Sequence, residues 1–188
     1  MSIAALIIVA ILIGFPVLYL IVTYNGLVAI RNHIRDAWAN IDTELKRRYD
    51  LIPNLVETAK GYAKHESETL EKVIALRNQC QQNTGSPAQQ ATTEKLLVSS
   101  LNGLFALAEN YPDLKANANF QQLQQELVNT EDRIQSSRRF YNGNVREYRN
   151  KTQSFPSNLV AGMFGFPPEA EEFFEVEPVE REAVKVQF

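Results

Sequence analysis

Residues 40–62 read NIDTELKRRYDLIPNLVETAKGY, and this stretch decides how many helices the chain forms. Its apolar residues recur every three or four positions, which is the spacing of one helix face, yet Pro53 lies among them. Inside a helix a proline lacks one N–H donor and its ring collides with the preceding turn, whereas at the first helical position it is favoured. We therefore predict that Pro53 begins a second helix. One kinked helix is the alternative, because the apolar stripe continues through Ile52.

An uncharged apolar run occupies residues 3–22, IAALIIVAILIGFPVLYLIV. As a helix it extends about 30 Å, the thickness of the hydrocarbon core of a bilayer. A secretory signal peptide fits less well, because no Lys or Arg precedes the run and no small-residue cleavage site follows it. We predict a transmembrane anchor over residues 1–23. Within it, Ala10 and Gly14 have the spacing that lets two membrane helices touch.

Residues 24–153 have the composition of a helical domain. Gln, Asn, Leu, Ala and Glu dominate, and no alternating strand pattern of useful length occurs. Gly-Ser-Pro at residues 85–87 and Tyr-Pro-Asp at residues 111–113 indicate loops. We predict an all-α fold, with the N-terminal transmembrane helix followed by an antiparallel up-and-down four-helix bundle.

The membrane-proximal end of this bundle is predicted to be basic. Arg31 and Arg35 lie near the start of the first helix, and Arg146, Arg149 and Lys151 lie near the end of the fourth. In an up-and-down bundle these two ends lie on the same side. We therefore expect these five side chains near the lipid headgroups.

Two further segments follow the bundle. Residues 154–166 are apolar but too short to span a bilayer, and they contain Phe155, Phe164 and Phe166. Either this segment lies at the membrane interface, or its phenylalanines cap the base of the bundle. Residues 167–188 hold seven Glu against one Arg and one Lys, so we predict an extended acidic tail.

Several stretches of the chain together resemble the LemA family. They read YNGLVAIRNHIRDAWANIDTELKRRYDLIPNLVETAKGYAKHE, YPDLKANANFQQLQQEL, YNGNVREYRNKTQSFPSNLVAGMFGF and FFEVE, in that order. The resemblance implies a bacterial protein with an N-terminal anchor and a bundle of four helices. It implies no reaction, because the family has no established one. Some members are associated with making or shaping bacterial membranes.

The residues give no catalytic constellation. The only histidines, His33 and His65, lack the Glu three positions earlier that a di-iron bundle requires. Cys80 has no histidine near it in sequence, and there is no glycine-rich phosphate loop and no Gly-x-Ser-x-Gly turn. We predict that the protein is not an enzyme and holds no cofactor or metal.

The basic tract at residues 46–48, Lys-Arg-Arg, is predicted to serve a structural purpose. The chain has a net charge of −3 and carries no motif of stacking aromatics, so no nucleic-acid partner is expected. We expect these charges either to pair with Asp42, Glu44 and Asp50 or to face a protein partner.

The function predicted from the sequence is that of a membrane-anchored scaffold that self-associates and helps to organise the bacterial cell envelope. The alternative is an adaptor or regulator of another membrane protein, such as a protease. Membrane lipids and a second copy of the chain are the expected partners. The homo-oligomer would be held by the anchors, by residues 155–166 and by an edge strand through Val184, Val186 and Phe188.

The positive-inside rule predicts a single-pass protein of the inner membrane with its bundle in the cytoplasm, because Arg31 and Arg35 follow the anchor closely. A bundle on the periplasmic or extracellular side is the alternative.

Overall fold

The structure is a computed structural model that describes residues 3–174. Of these residues 85% are helical and none lies in a β-strand, so the predicted all-α class with an N-terminal apolar helix is confirmed. The up-and-down arrangement of four helices stays a prediction. The helices are α1 (Ile3–Lys60), α2 (Ser67–Gln82), α3 (Pro87–Ala108), α4 (Pro112–Lys115), α5 (Ala118–Gln153) and α6 (Ser157–Phe164), followed by a 3₁₀ turn at Pro168–Ala170.

Helix α1 continues through Pro53, so the predicted corner at this proline is wrong. The carbonyl of Tyr49 lies four residues earlier and would normally accept the missing N–H. It accepts a hydrogen bond from Arg77 Nε of α2 instead, at 3.0 Å. Pro53 itself is exposed, while Ile52 and Leu55 beside it are buried. The apolar stripe therefore determines the course of the helix, and the chain turns only at residues 61–66.

The chain divides into two compact units, and each is described by itself. The first unit comprises Met1–Ala39 and Arg139–Glu171, and the second comprises Asn40–Arg138 and Glu172–Phe188. Helices α1 and α5 contribute to both units because the boundaries fall within them.

In the first unit, α1 packs its buried stripe against α5 and α6. The buried apolar side chains of this unit are Leu27, Ile30, Ile34, Ala37, Tyr141, Val145, Tyr148, Val160, Ala161 and Phe166. Trp38 of α1 adds a tilted ring contact with Tyr141 of α5, at 5.4 Å between centroids.

In the second unit, α2 and α3 pack against each other across the predicted loop at residues 83–86. Ser86 and Gln89 form a capping box, and Pro87 occupies the first turn of α3, where a missing N–H costs nothing. The connection at residues 109–117, which includes α4, contacts the turn at residues 61–66, because the Tyr111 hydroxyl donates to Glu66 at 2.9 Å. The Gly-Ser-Pro signal at residues 85–87 predicted the α2–α3 connection correctly.

Candidate membrane-proximal site

The N-terminal part of α1 is apolar and leaves the protein core. An 18-residue window of this helix has a mean hydropathy of 2.8, and none of the window is buried. From residue 10 onward, partial burial begins at Tyr19 and Leu20, and Leu27 is the first fully buried residue. The described part of the chain thus contains one helix long and apolar enough to cross a membrane, which indicates membrane anchoring.

Ala10 and Gly14 both lie on the exposed surface of this helix. Apart from its chain neighbours and the backbone of its own helix, no heavy atom lies within 4 Å of the position that a Cβ atom on Gly14 would occupy. The backbone is therefore open to close approach by another helix at this level, and contact between two anchors stays a prediction.

Helix α6 is held against α1 by aromatic contacts just after the apolar run. The ring of Tyr24 lies 4.9 Å from that of Phe164 and 5.7 Å from that of Phe166, both edge to face. Such pairs contribute attraction beyond the area that they bury. They place the end of α6 beside α1, within the first helical turn after Val22.

The short helix α6 is closed at both ends by local hydrogen bonds. The Ser157 hydroxyl lies 2.6 Å from the Lys151 carbonyl and 2.9 Å from the Ser154 carbonyl, at the end of α5. Gly165 takes a φ of +72°, which glycine adopts without the steric cost of a side chain. The Phe166 N–H then donates to the Ala161 carbonyl at 2.9 Å, as in a Schellman motif. This turn folds Phe166 back into the protein.

Helix α6 and the turn before it carry four large apolar side chains that are exposed. Val160 and Ala161 are buried against the unit, whereas the exposed fractions are 80% for Phe155, 61% for Leu159, 70% for Met163 and 43% for Phe164. We call these four exposed side chains the α6 apolar face.

Of the two interpretations of residues 154–166, the cap applies to Phe166, and the membrane interface stays a prediction. Phe166 is only 6% exposed and caps the base of the unit, whereas Phe155 and Phe164 lie on the α6 apolar face. The segment therefore combines a buried cap with an exposed surface.

Residues 167–171, which we call the strap, lie along α1 and α5. Arg149 donates to the Glu171 carbonyl at 2.9 Å, and the Tyr148 hydroxyl donates to the Pro167 carbonyl at 3.1 Å. Arg31 Nε lies 3.6 Å from the Glu171 carboxylate. The extended tail predicted from residue 167 onward thus begins with a segment packed on the first unit.

Burial of Glu171 outweighs its attraction to the arginines. Desolvation raises the pKa of this carboxyl group, and Arg31 and Arg35 oppose that rise without cancelling it. Burial likewise raises the pKa of Tyr148, so its hydroxyl remains a hydrogen-bond donor to the strap. The strap is therefore held by directed hydrogen bonds from Tyr148 and Arg149 together with the contact between Glu171 and Arg31.

The five basic residues predicted to face the lipid are used differently. Arg31 and Arg149 bind the strap, and Arg35 is near enough to Glu171 to act on its pKa. Arg146 is exposed. Lys151 Nζ lies 3.3 Å from Glu147.

Lys151 also lies beside the first turn after the apolar run. Its Nζ atom is 3.7 Å from the position that a Cβ atom on Gly26 would occupy. Its ammonium group is therefore beside α1, four residues beyond Val22.

A buried ionic cluster lies in the second unit. Arg48 is only 2% exposed, donates to Glu94 at 2.8 Å and also pairs with Glu131. Tyr49 donates its hydroxyl to Glu94 as well. The cluster joins α1, α3 and α5, and ion pairs this deeply buried are costly to break because the remaining charge loses its partner.

The predicted pairing of the basic tract with its sequence neighbours is wrong for two of its three residues. Arg48 takes the distant partners just described, and Arg47 pairs with Glu126 at 2.8 Å. Glu44, an expected partner of the tract, lies 3.8 Å from Arg133. Since residues 46–48 lie within α1 and not at a corner, their side chains reach helices distant in sequence.

The buried groups near this cluster are poor nucleophiles. Burial and the nearby Glu94 carboxylate raise the pKa of Cys80 to about 12, and the same two causes raise the pKa of Tyr49. Both groups therefore stay protonated at neutral pH. Within residues 3–174 no group of three potential metal-ligating side chains occurs, and His33 and His65 are each exposed.

The all-helical fold and the exposed apolar helix at the N-terminus indicate that this chain is a membrane-anchored helical protein. The chain belongs to the LemA family, whose family model matches residues 37–188. A protein LemA of Metamycoplasma hominis is 30% identical over 140 residues, which cover 73% of this chain and 63% of that protein. The resemblance found in the sequence is thereby confirmed.

Magnetosome proteins are also among the relatives. Magnetosome protein MamQ 2 of Paramagnetospirillum magneticum is 24% identical over 184 residues, covering 85% of this chain and 67% of that protein. Magnetosome protein MamQ of Magnetospirillum gryphiswaldense is 24% identical over 172 residues, covering 78% of this chain and 63% of that protein. The matched region thus spans about two thirds of the length of these relatives.

Sequence reasoning missed the division of α6 into two sides and the residues that bind the arginines. The interval of four between Leu159 and Met163 was the available signal, because it aligns side chains along one face of a helix. No local signal marked Glu171 or Glu94 as arginine partners, since each lies far from its partner in sequence.

Proposed function

We propose that this chain is a non-catalytic, membrane-anchored helical scaffold that self-associates and helps to organise the bacterial cell envelope. The observation that carries the proposal is the exposure of the apolar part of α1, which continues without a loop into the buried stripe that begins at Leu27. A helix without a loop transmits the position of the anchor directly to the first unit. Membership of the LemA family and the relatives named as magnetosome proteins support a role at a membrane.

The contacts in the second unit support an up-and-down four-helix bundle as its architecture. Arg48 of α1 reaches Glu94 of α3 and Glu131 of α5, and Arg77 of α2 reaches the Tyr49 carbonyl of α1. Four helices thereby share one polar and apolar core. The antiparallel order is the simplest one for helices joined by connections this short.

The open backbone at Ala10 and Gly14 supports self-association through the anchors. The proposed topology is a single pass in the inner membrane with the bundle in the cytoplasm, as the arginines after the anchor favour. A reporter fused after Phe188 tests the topology, because activity of the reporter outside the cytoplasm would reverse it.

Mass measurement of the full chain in nanodiscs tests the scaffold. We expect oligomers of the 21.3 kDa chain, and we expect Ala10→Leu combined with Gly14→Leu to reduce them. Ala4→Leu is the matched control, because Ala4 is also small and exposed but lies outside this pair. If the full chain is a monomer at every protein concentration, the adaptor function should replace the scaffold. Recovery of a stoichiometric membrane enzyme with the chain from gentle detergent would then support the adaptor.

A further inference from the structure

We propose that the α6 apolar face lies in the interfacial layer of the bilayer that α1 enters. The inference rests on the membrane anchoring in the proposed function and adds a second, non-spanning lipid contact to the chain. It assigns Phe155, Leu159, Met163 and Phe164 to lipid, and so chooses the membrane interface for the exposed part of residues 154–166, which the sequence left open between two interpretations.

The contact between α6 and α1 determines how deep α6 lies in the membrane. Tyr24 follows the end of the apolar run by two residues, which is about 3 Å along a helix. The ring of Phe164 lies 4.9 Å from that of Tyr24. The headgroup and interfacial layer is several ångströms thick on each side of the hydrocarbon core, so this end of α6 falls within it when the apolar run spans the core.

The chemistry of α6 suits that layer. Its buried side holds it to the unit through Val160 and Ala161, whereas Leu159 and Met163, four residues apart in the helix, are exposed on one side. Phe155 is exposed in the turn just before the helix. Helices that lie in an interface present such a Phe- and Leu-containing face to the acyl chains. The Tyr24 ring beside it has the apolar body and polar tip that are enriched at this depth.

Lys151 places a positive charge at this depth, which it shares with Glu147 at 3.3 Å. Its ammonium lies beside Gly26, about 6 Å along α1 from the end of the apolar run, which is the level of phosphate groups. Long basic side chains place their charge at the headgroups while their methylene groups cover apolar surface. Anionic lipids attract cations at this position.

A second copy of the chain is a poorer occupant of this face. The face consists of four side chains on and next to a helix of two turns, whereas stable protein interfaces bury about 800 Å² on each partner. The surface continuous with it is the exposed apolar part of α1, which already faces lipid in the proposed function. The same lipid can therefore cover the α6 apolar face and the exposed apolar part of α1.

Depth measurement with nitroxide labels on the full chain in liposomes tests the proposal. The native chain is a suitable background, because its single cysteine, Cys80, is buried. The labelled variants are Met163→Cys on the α6 apolar face, Leu12→Cys on the anchor, and Asp36→Cys on an exposed position of α1 about 18 Å beyond Tyr24. Collision with dissolved oxygen reports lipid exposure, and collision with a water-soluble nickel chelate reports water exposure.

We expect the oxygen-to-chelate ratio at Met163 to exceed the ratio at Asp36 several-fold and to remain below the ratio at Leu12, which lies near the middle of the apolar run. If Met163 behaves like Asp36 while Leu12 reports lipid, the interfacial contact is refuted and membrane anchoring stands. If Leu12 also behaves like Asp36, the proposed function fails as well. If the label at Met163 is shielded from both reagents and broadened by a second label, another copy of the chain covers this face and the lipid assignment is wrong.

Discussion

Pro53→Ala should stabilise the protein and should at the same time make Arg77 less important for stability. Alanine restores the N–H that the Tyr49 carbonyl lacks within α1. A proline in a helix interior costs about 3 kcal/mol relative to alanine. The Arg77 hydrogen bond already recovers about 1 kcal/mol of this cost. Proline also lowers the conformational entropy of the unfolded chain, which stabilises the native protein by a further ~0.4–1 kcal/mol. The net expected gain is about 1–2 kcal/mol.

The coupling between the two residues is the sharper part of the prediction. In the native background, Arg77→Met leaves the carbonyl of the buried Tyr49 without a donor, at a cost of about 1–3 kcal/mol. In the Pro53→Ala background the helix supplies that donor, so the same change should cost about 1 kcal/mol less. Lys72→Met, an exposed cation on the same helix α2, is the control and should cost the same in both backgrounds.

Urea unfolding of the full chain in detergent, followed by Trp38 fluorescence and helical circular dichroism, measures the free energies of unfolding. The native chain, the two single variants and the double variant together form a double-mutant cycle. A Pro53→Ala chain that is no more stable than the native one would refute an uninterrupted α1. Equal costs of Arg77→Met in both backgrounds would show that the Tyr49 carbonyl does not depend on Arg77.

Three further predictions concern buried polar groups. Arg48→Met should destabilise the protein by about 3–5 kcal/mol because it leaves Glu94 buried and unpaired, whereas Arg47→Met removes an exposed pair and should cost less than ~1 kcal/mol in the same unfolding assay. Cys80, with its pKa raised to about 12, should resist iodoacetamide at pH 8 in the folded protein and react after denaturation; fast modification of the folded chain would contradict its burial. Because burial raises the folded pKa of Glu171, the folded state binds a proton more tightly than the unfolded state, and this group's contribution to stability should fall as pH rises through its folded pKa. Glu171→Gln should therefore keep or increase stability at pH 7, and a clear loss would show that the ion pair dominates.

The sequence predicted the helical class and the α2–α3 loop because those depend on local signals. Apolar spacing gives the helices, and Gly-Ser-Pro with a capping serine gives the connection. Pro53 was assigned wrongly because its tolerance depends on Arg77, which lies 24 positions further along the chain. A hydrogen bond from a distant side chain leaves no local pattern.

The membrane-proximal site was predictable only in part for the same reason. The sequence marked residues 154–166 as apolar and the flanking helix ends as basic. It did not show which apolar side chains turn inward, because that follows from the contacts of Phe166 and Val160 with other elements. It also did not show that Arg31 and Arg149 are taken by the strap. The predicted edge strand through Val184, Val186 and Phe188 lies outside the described residues.

Synthesis separates in time the two segments that pair in the first unit, because one is near the start of the chain and the other near its end. The α1 stripe at Leu27, Ile30 and Ile34 is buried by residues from 139 onward, which leave the ribosome about 100 residues after residue 39. At roughly 5–20 residues per second, this interval lasts about 5–20 s. For that time the stripe is made but has no partner within its unit, directly beside an anchor suited to insert into the membrane. The nascent chain therefore has to be protected by the ribosome surface, a chaperone or the lipid itself until its last helices arrive.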